Sequence, residues 1–130
     1  MNEKANPTEK FTVLVVEDNF INQELMREML DRLNCHVDTA ENGLIALDRM
    51  KTTRYHMVFM DLHMPEMDGF EVAREVRKTE QEDPIPIIAT TANVTPGIVK
   101  ECLEAGMDAY LAKPFQLKDI ESLLNKYCPK

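Results

Sequence analysis

The sequence holds no tryptophan, only 4 glycines and only 3 cysteines among 130 residues. Each scarcity excludes something. With so few glycines there is no G-x-G-x-x-G and no Walker A loop, and a backbone cradle for a phosphate needs glycines for close approach. Without tryptophan there is no indole to stack on an isoalloxazine ring, so nucleotide and flavin sites are both poorly supported. Cys35, Cys102 and Cys128 are scattered and odd in number, with no C-x-x-C or Cys/His ligand spacing. That pattern suggests neither a disulfide framework nor a zinc site. It suits a reducing compartment, and the chain is expected to be cytoplasmic. Long apolar runs are missing too. The opening "MNEKANPTEK" has no apolar core, so it reads as neither signal peptide nor membrane span but as a flexible tail over residues 1–10. Basic residues number 15 against 23 acids, a net charge of −8. This argues against direct nucleic-acid or anionic-membrane contact, because both are polyanions.

What is present reads as one domain, residues 11–128, with an ordinary hydrophobic fraction of 44%. Strand-like and helix-like segments alternate five times. "TVLVV" (12–16) is β-rich and continuously apolar, as expected of a strand covered on both faces. "NFINQELMREMLDRLN" (19–34) places Ile21, Leu25, Met29 and Leu33 at i+4 steps, with Met26 and Leu30 beside them, and is expected to bury that wide face. Asn34 is suited to close it as a left-handed cap. "HVDTA" (36–40) is a more polar strand, expected at an edge, and "GLIALDRMK" (43–51) a short helix with Leu44, Leu47 and Met50 inward.

"MVFM" (57–60) is the third strand and "DGFEVAREVRKTE" (68–80) the third helix, with Asp68 and Glu71 spaced as a capping box. "PIIAT" (86–90) is the fourth strand, entered through two prolines that fit only at its start. "TPGIVKECLEAG" (95–106) has Thr95 as N-cap, Pro96 at the first helical position and Gly106 past the end. "AYLA" (109–112) and "QLKDIESLLNKY" (116–127) close the chain, the latter with Leu117, Ile120, Leu124 and Tyr127 on one face. Alternation of this kind implies βαβ units. The expected fold is α/β: a doubly wound, flavodoxin-like parallel sheet of five strands in the order 2-1-3-4-5, with helices on both faces.

In such a sheet, ligands bind beyond the carboxyl ends of the strands, where strand order reverses. There the sequence puts Glu17 and Asp18 after the first strand, Asp61 after the third, Thr90 and Thr91 at the fourth, and Lys113 and Pro114 after the fifth. Taken singly, each has a plainer role. An acid after a strand usually caps the next helix, a threonine satisfies backbone groups, and a lysine is usually solvated. Three acids together are harder to dismiss, since close like charges disfavour ionisation. Lys113 offsets one charge, and a divalent ion such as Mg²⁺, with Mn²⁺ as substitute, suits hard oxygen ligands. Metal, carboxylate, hydroxyl and lysine together suit phosphoryl transfer, with Asp61 the best nucleophile.

The motifs "VVEDN", "MDLHMPEMDG", "TTA" and "KPF", in that order and spacing, resemble the receiver domain of two-component signalling, over Phe11 to about Tyr127. "EDNFINQ" looks most like receivers attached to hybrid sensor histidine kinases. The resemblance implies that Asp61 accepts a phosphoryl group from a phosphohistidine on a histidine kinase or histidine phosphotransfer protein. It implies that Asp18, Glu17, Asp61 and the backbone carbonyl of His63 hold Mg²⁺, and that Thr91 and Lys113 engage the phosphoryl oxygens, with the amide of Ala92 contributing. Tyr110 falls where the family keeps an aromatic that moves with Thr91, switching the surface of the fourth helix, fifth strand and fifth helix. A cis Lys113–Pro114 bond is implied as well. The chain would modify itself once and lose the group slowly, acting as a monomer or weak homodimer. His63 and Asn93 lie where side chains flank the incoming water. Two alternatives compete. A phosphorylation-free interaction scaffold is disfavoured by the intact set of site residues, and a haloacid-dehalogenase-type phosphatase by the lack of D-x-D.

Overall fold

The computed structural model describes residues 11–79 and 84–128. Five strands, β1 (Thr12–Val16), β2 (His36–Ala40), β3 (Met57–Asp61), β4 (Ile87–Thr91) and β5 (Ala109–Ala112), alternate with five helices. The helices are α1 (Phe20–Arg32), α2 (Gly43–Thr52), α3 (Gly69–Thr79), α4 (Pro96–Ala105) and α5 (Leu117–Tyr127). All neighbouring strands are parallel and their order is β2-β1-β3-β4-β5, as expected from the sequence. The expected tail over residues 1–10 and the last residue of the expected third helix, Glu80, lie outside the described residues.

Period-2 alternation along the strands divides the core in two. Leu14, Val16, Val58, Met60, Ile87 and Ala89 face α2, α3 and α4. Val13, Val15, Met57, Phe59, Ile88 and Leu111 face α1 and α5. Because helices cover both faces, β3 and β4 are buried at every residue, which is why their sequences read as unbroken apolar runs. The edge strands β2 and β5 are partly exposed and correspondingly more polar or smaller.

Most of the expected punctuation is in place. Asp68 and Glu71 exchange capping hydrogen bonds at 2.9 and 3.0 Å. Thr95 Oγ1 accepts from the Ile98 N–H at 3.1 Å, with Pro96 beginning α4, and Gly106 ends it at φ 98°. Asn34 adopts φ 66°, and Lys113–Pro114 is cis. On α5, Ile120 and Leu124 are buried while Leu117 and Tyr127 are half-buried.

Three expectations are corrected. The fourth strand runs one residue later than 86–90, ending on Thr91. Leu44 points out at 65% exposure, and α2 buries Gly43 and Ala46 instead. On α1 only the second half of the i+4 stripe packs on the core. Ile21 is 74% and Leu25 48% exposed, while Met29 and Leu33 are half-buried. Each i+4 step overshoots a full turn by about 40°, so a stripe of that period spirals around the helix. Met26 and Leu30 are buried as expected, and the third buried residue of α1 is Gln23, which the apolar pattern passes over.

Candidate functional site

Adjacent strands β1 and β3 deliver Glu17 and Asp61 to the same edge of the sheet. Glu17 directly follows β1, and Asp61 ends β3 in register with Thr90. Both acids are buried, at 5% and 4% exposure, whereas Asp18 is exposed. Lys113, just after β5, reaches past β4 to the acids that follow β1 and end β3. Its Nζ lies 3.1 Å from Glu17 Oε1 and 3.7 Å from Asp61 Oδ1. Asp61 lies two strand spacings away, roughly 10 Å, and Glu17 three, so only a long side chain reaches both. Carboxylate oxygens of Glu17, Asp18 and Asp61 lie within 4.8 Å of one another. Hard, anionic oxygens at that spacing fit a small divalent cation such as Mg²⁺.

The charges do not balance, and the two buried acids respond in opposite directions. Burial is the largest influence on Asp61 and pushes its carboxyl up to about 6, with the Glu17 charge adding to it. The His63 N–H, donating to Asp61 Oδ1 at 3.2 Å, and Lys113 oppose the rise. Burial also pushes Glu17 up, but hydrogen bonds from Lys113 and the Asn19 N–H outweigh it and hold the carboxyl below its usual range. One cation therefore secures one carboxylate, and Asp61 stays poised to change protonation.

Thr91 ends β4 fully buried. Its Oγ1 accepts from the Asn93 N–H at 3.0 Å, and its carbonyl accepts from the Lys113 N–H at 2.8 Å. It makes no hydrogen bond to the acids among the described residues. Thr90, in the alternate row, lines a cavity of about 270 Å³ together with Glu17, Lys113, Leu25, Met26 and Phe115. Tyr110 lies on β5 at 44% exposure, and His63 is exposed beside Asp61.

Two residues that support the site escape a reading of the motifs alone. A Cβ on Gly69 would stand 2.5 Å from the carbonyl oxygen of Asp61, so this glycine lets the start of α3 close on the strand end. Gln23 is buried and its Nε2 donates to the Glu17 carbonyl at 2.6 Å. Its signal was present in the sequence, since it falls in phase with Met26 and Leu30.

The response regulator receiver domain family matches residues 13–125. Hybrid signal transduction histidine kinase L of Dictyostelium discoideum is 40% identical over 121 residues, covering 88% of this chain and 7% of that kinase. The chain thus spans a small part of the length of the curated relatives it matches. The crystal structure of the receiver domain of a sensor histidine kinase from Pseudomonas aeruginosa PAO1, with magnesium coordinated in its active-site cleft, superposes with TM-score 0.84. It is 37% identical and covers 91% of this chain and 97% of that one. The receiver domain of Saccharomyces cerevisiae Ssk1, solved with the histidine phosphotransfer protein Ypd1, superposes with TM-score 0.83 at 30% identity, covering 91% of this chain and 88% of that one. Family match, strand order and acidic site agree: this chain belongs to the response regulator receiver domain family.

Proposed function

We propose that this receiver takes a phosphoryl group from a phosphohistidine onto Asp61 in a two-component phosphorelay. The observation that carries the proposal is the buried Asp61 carboxylate within 4.8 Å of two further acids, with Lys113 Nζ 3.7 Å from its Oδ1. An Asp61 carboxylate oxygen attacks phosphorus, a P–O bond forms, and the P–N bond to the imidazole breaks. The leaving imidazole keeps the electron pair and takes a proton from solvent. The chemistry supplied by a bound Mg²⁺, or by Mn²⁺ with the same donors, is positive charge against the carboxylates and phosphoryl oxygens. Glu17, Asp18, Asp61 and the His63 carbonyl would hold it. Lys113 would pair with a phosphoryl oxygen. Thr91 would donate its hydroxyl hydrogen to another phosphoryl oxygen, and Tyr110 would follow it inward as the switch. Slow hydrolysis of the acyl phosphate would reset the domain. No helix among the described residues is long and apolar enough to cross a membrane, and the three free cysteines are buried, as suits a cytoplasmic domain.

The donor's docking surface is assigned to α1. Phe20 (70%), Ile21 (74%) and Leu25 (48%) are exposed on the first turns after Glu17 and Asp18. Leu25 also borders the cavity that reaches Lys113. A histidine phosphotransfer protein seated there would bring its imidazole toward Asp61. Ile21→Asp should slow transfer from such a protein by about tenfold and leave labelling by acetyl phosphate intact.

The test of the reaction is intact mass after incubation with acetyl phosphate and Mg²⁺. One added phosphoryl group, labile to hydroxylamine and absent from Asp61→Asn, is expected. If neither that adduct nor beryllofluoride binding is found, the scaffold reading is correct instead.

A further inference from the structure

Glu17 and Asp18 sit on a short turn between β1 and α1, and three mutually repelling carboxylates push on it. Something must hold the turn. At the start, the Glu17 N–H is tied to the Ala40 carbonyl at 3.0 Å. Beyond that point the Glu17 carbonyl is held by a side chain, and the Asn19 carbonyl by the first hydrogen bond of α1. The Gln23 side-chain Nε2 donates to the Glu17 carbonyl at 2.6 Å, and the Gln23 backbone N–H donates to the Asn19 carbonyl at 3.0 Å. Asp18, exposed itself, is thus bracketed by two carbonyls that share one partner. The Glu17 carboxylate in turn accepts from the Asn19 N–H at 3.1 Å, so its side chain depends on the same turn geometry. Gln23 occupies a core-facing position of α1, in phase with Met26 and Leu30, where an apolar residue would pack equally well. An amide there costs desolvation unless its hydrogen bond has a use.

We infer that Gln23 is a positioning residue of the acidic site, holding Glu17 and Asp18 in place for a divalent cation by donating its side-chain amide to the Glu17 carbonyl from the first turn of α1. The inference rests on the metal reading above and goes beyond it, because Gln23 touches neither metal nor phosphoryl group. The glutamine length is part of the argument. Its amide reaches back past its own backbone bond to Asn19, which the shorter Asn cannot do from the same Cα.

The experiment is Mg²⁺ titration of the full chain, followed by amide NMR, for the unchanged protein, Gln23→Met and Leu30→Ala. Gln23→Met keeps length and volume but removes the donor. It should weaken Mg²⁺ binding by about fivefold, the worth of one net hydrogen bond. Leu30→Ala, which injures the same core face one turn further from the site, should lower the thermal midpoint and leave Mg²⁺ affinity unchanged. In the unchanged protein the Gln23 side-chain amide resonances should shift as Mg²⁺ saturates, while those of Gln116, the N-cap of α5, stay still. That readout stands even where a variant fails to fold. Equal Mg²⁺ affinity in Gln23→Met, or Gln23 amide signals that ignore Mg²⁺, would overturn the inference and leave the metal site standing. Failure of the unchanged protein to bind Mg²⁺ would instead remove the metal reading, and this inference with it.

Discussion

The two ends of the sheet solve the same electrostatic problem differently. At the amino end, Asp108 meets Arg77, whose Nη2 lies 3.0 Å away and whose Nε donates to the Gly106 carbonyl at 2.8 Å. Asp108 Oδ2 also accepts from the Ile87 N–H at 2.8 Å. One acid, one cation and two backbone groups are all engaged, and the cluster ties α3 to the starts of β4 and β5. At the carboxyl end, Lys113 faces two buried acids with a third acid beside them. The first arrangement is balanced and holds the fold together. The second carries uncompensated negative charge, which a structural role does not need and a cation-assisted reaction does.

This contrast can be broken from either side. Asp61→Asn should abolish phosphoryl labelling completely, the largest effect, whereas Arg77→Met should leave labelling per folded molecule intact. Arg77→Met should instead cost about 1 kcal/mol of stability by removing a part-exposed ion pair and the hydrogen bond to the Gly106 carbonyl, measured by urea unfolding. Lys113→Met sharpens the comparison. Removing the resident cation should tighten Mg²⁺ binding by about fivefold while weakening the metal-free fold, since the metal no longer competes with an ammonium group. Titration calorimetry and thermal unfolding would read the two effects separately.

The smallest effect is on metal-free stability. Asp61 is held at about 6 against an ordinary 3.8, so the folded state keeps its proton when the unfolded chain has lost it. Stability therefore falls as pH rises between those values and stays reduced above them. Asn cannot ionise, so metal-free Asp61→Asn should be more stable at neutral pH by about 1–2 kcal/mol, after allowance for solvent screening. That gain should fade as pH drops toward 4. Urea unfolding across pH checks it.

The sheet and its acids were legible because burial on both faces forces unbroken apolar runs, and polar residues then stand out where those runs stop. Asp61 after "MVFM" is the clearest case. Helix faces were less legible. Ile21 and Leu25 look like core residues by spacing, yet the 40° drift of an i+4 stripe carries them outward, to where a partner can meet them. Leu44 misleads for a related reason, since the small Gly43 and Ala46 take the buried positions of α2. Gly43 needs its size, because a Cβ there would stand 2.6 Å from Val72 Cγ2. Gly69 was read as the start of a helix, but its close approach to the Asp61 carbonyl depends on a tertiary contact that no local pattern encodes. Gln23 sat in view on the core face of α1. Its partner, a backbone carbonyl, has no sequence signature.

The central claim is that Asp61 is kept reactive by charge that only an added cation completes. The most direct measurement is a pH titration of the Asp61 side-chain carboxyl by ¹³C NMR, without and with saturating Mg²⁺. The account predicts a midpoint near 6 in the metal-free protein. With Mg²⁺ the midpoint should fall below the ordinary carboxylate range. An ordinary midpoint that Mg²⁺ does not move would contradict it.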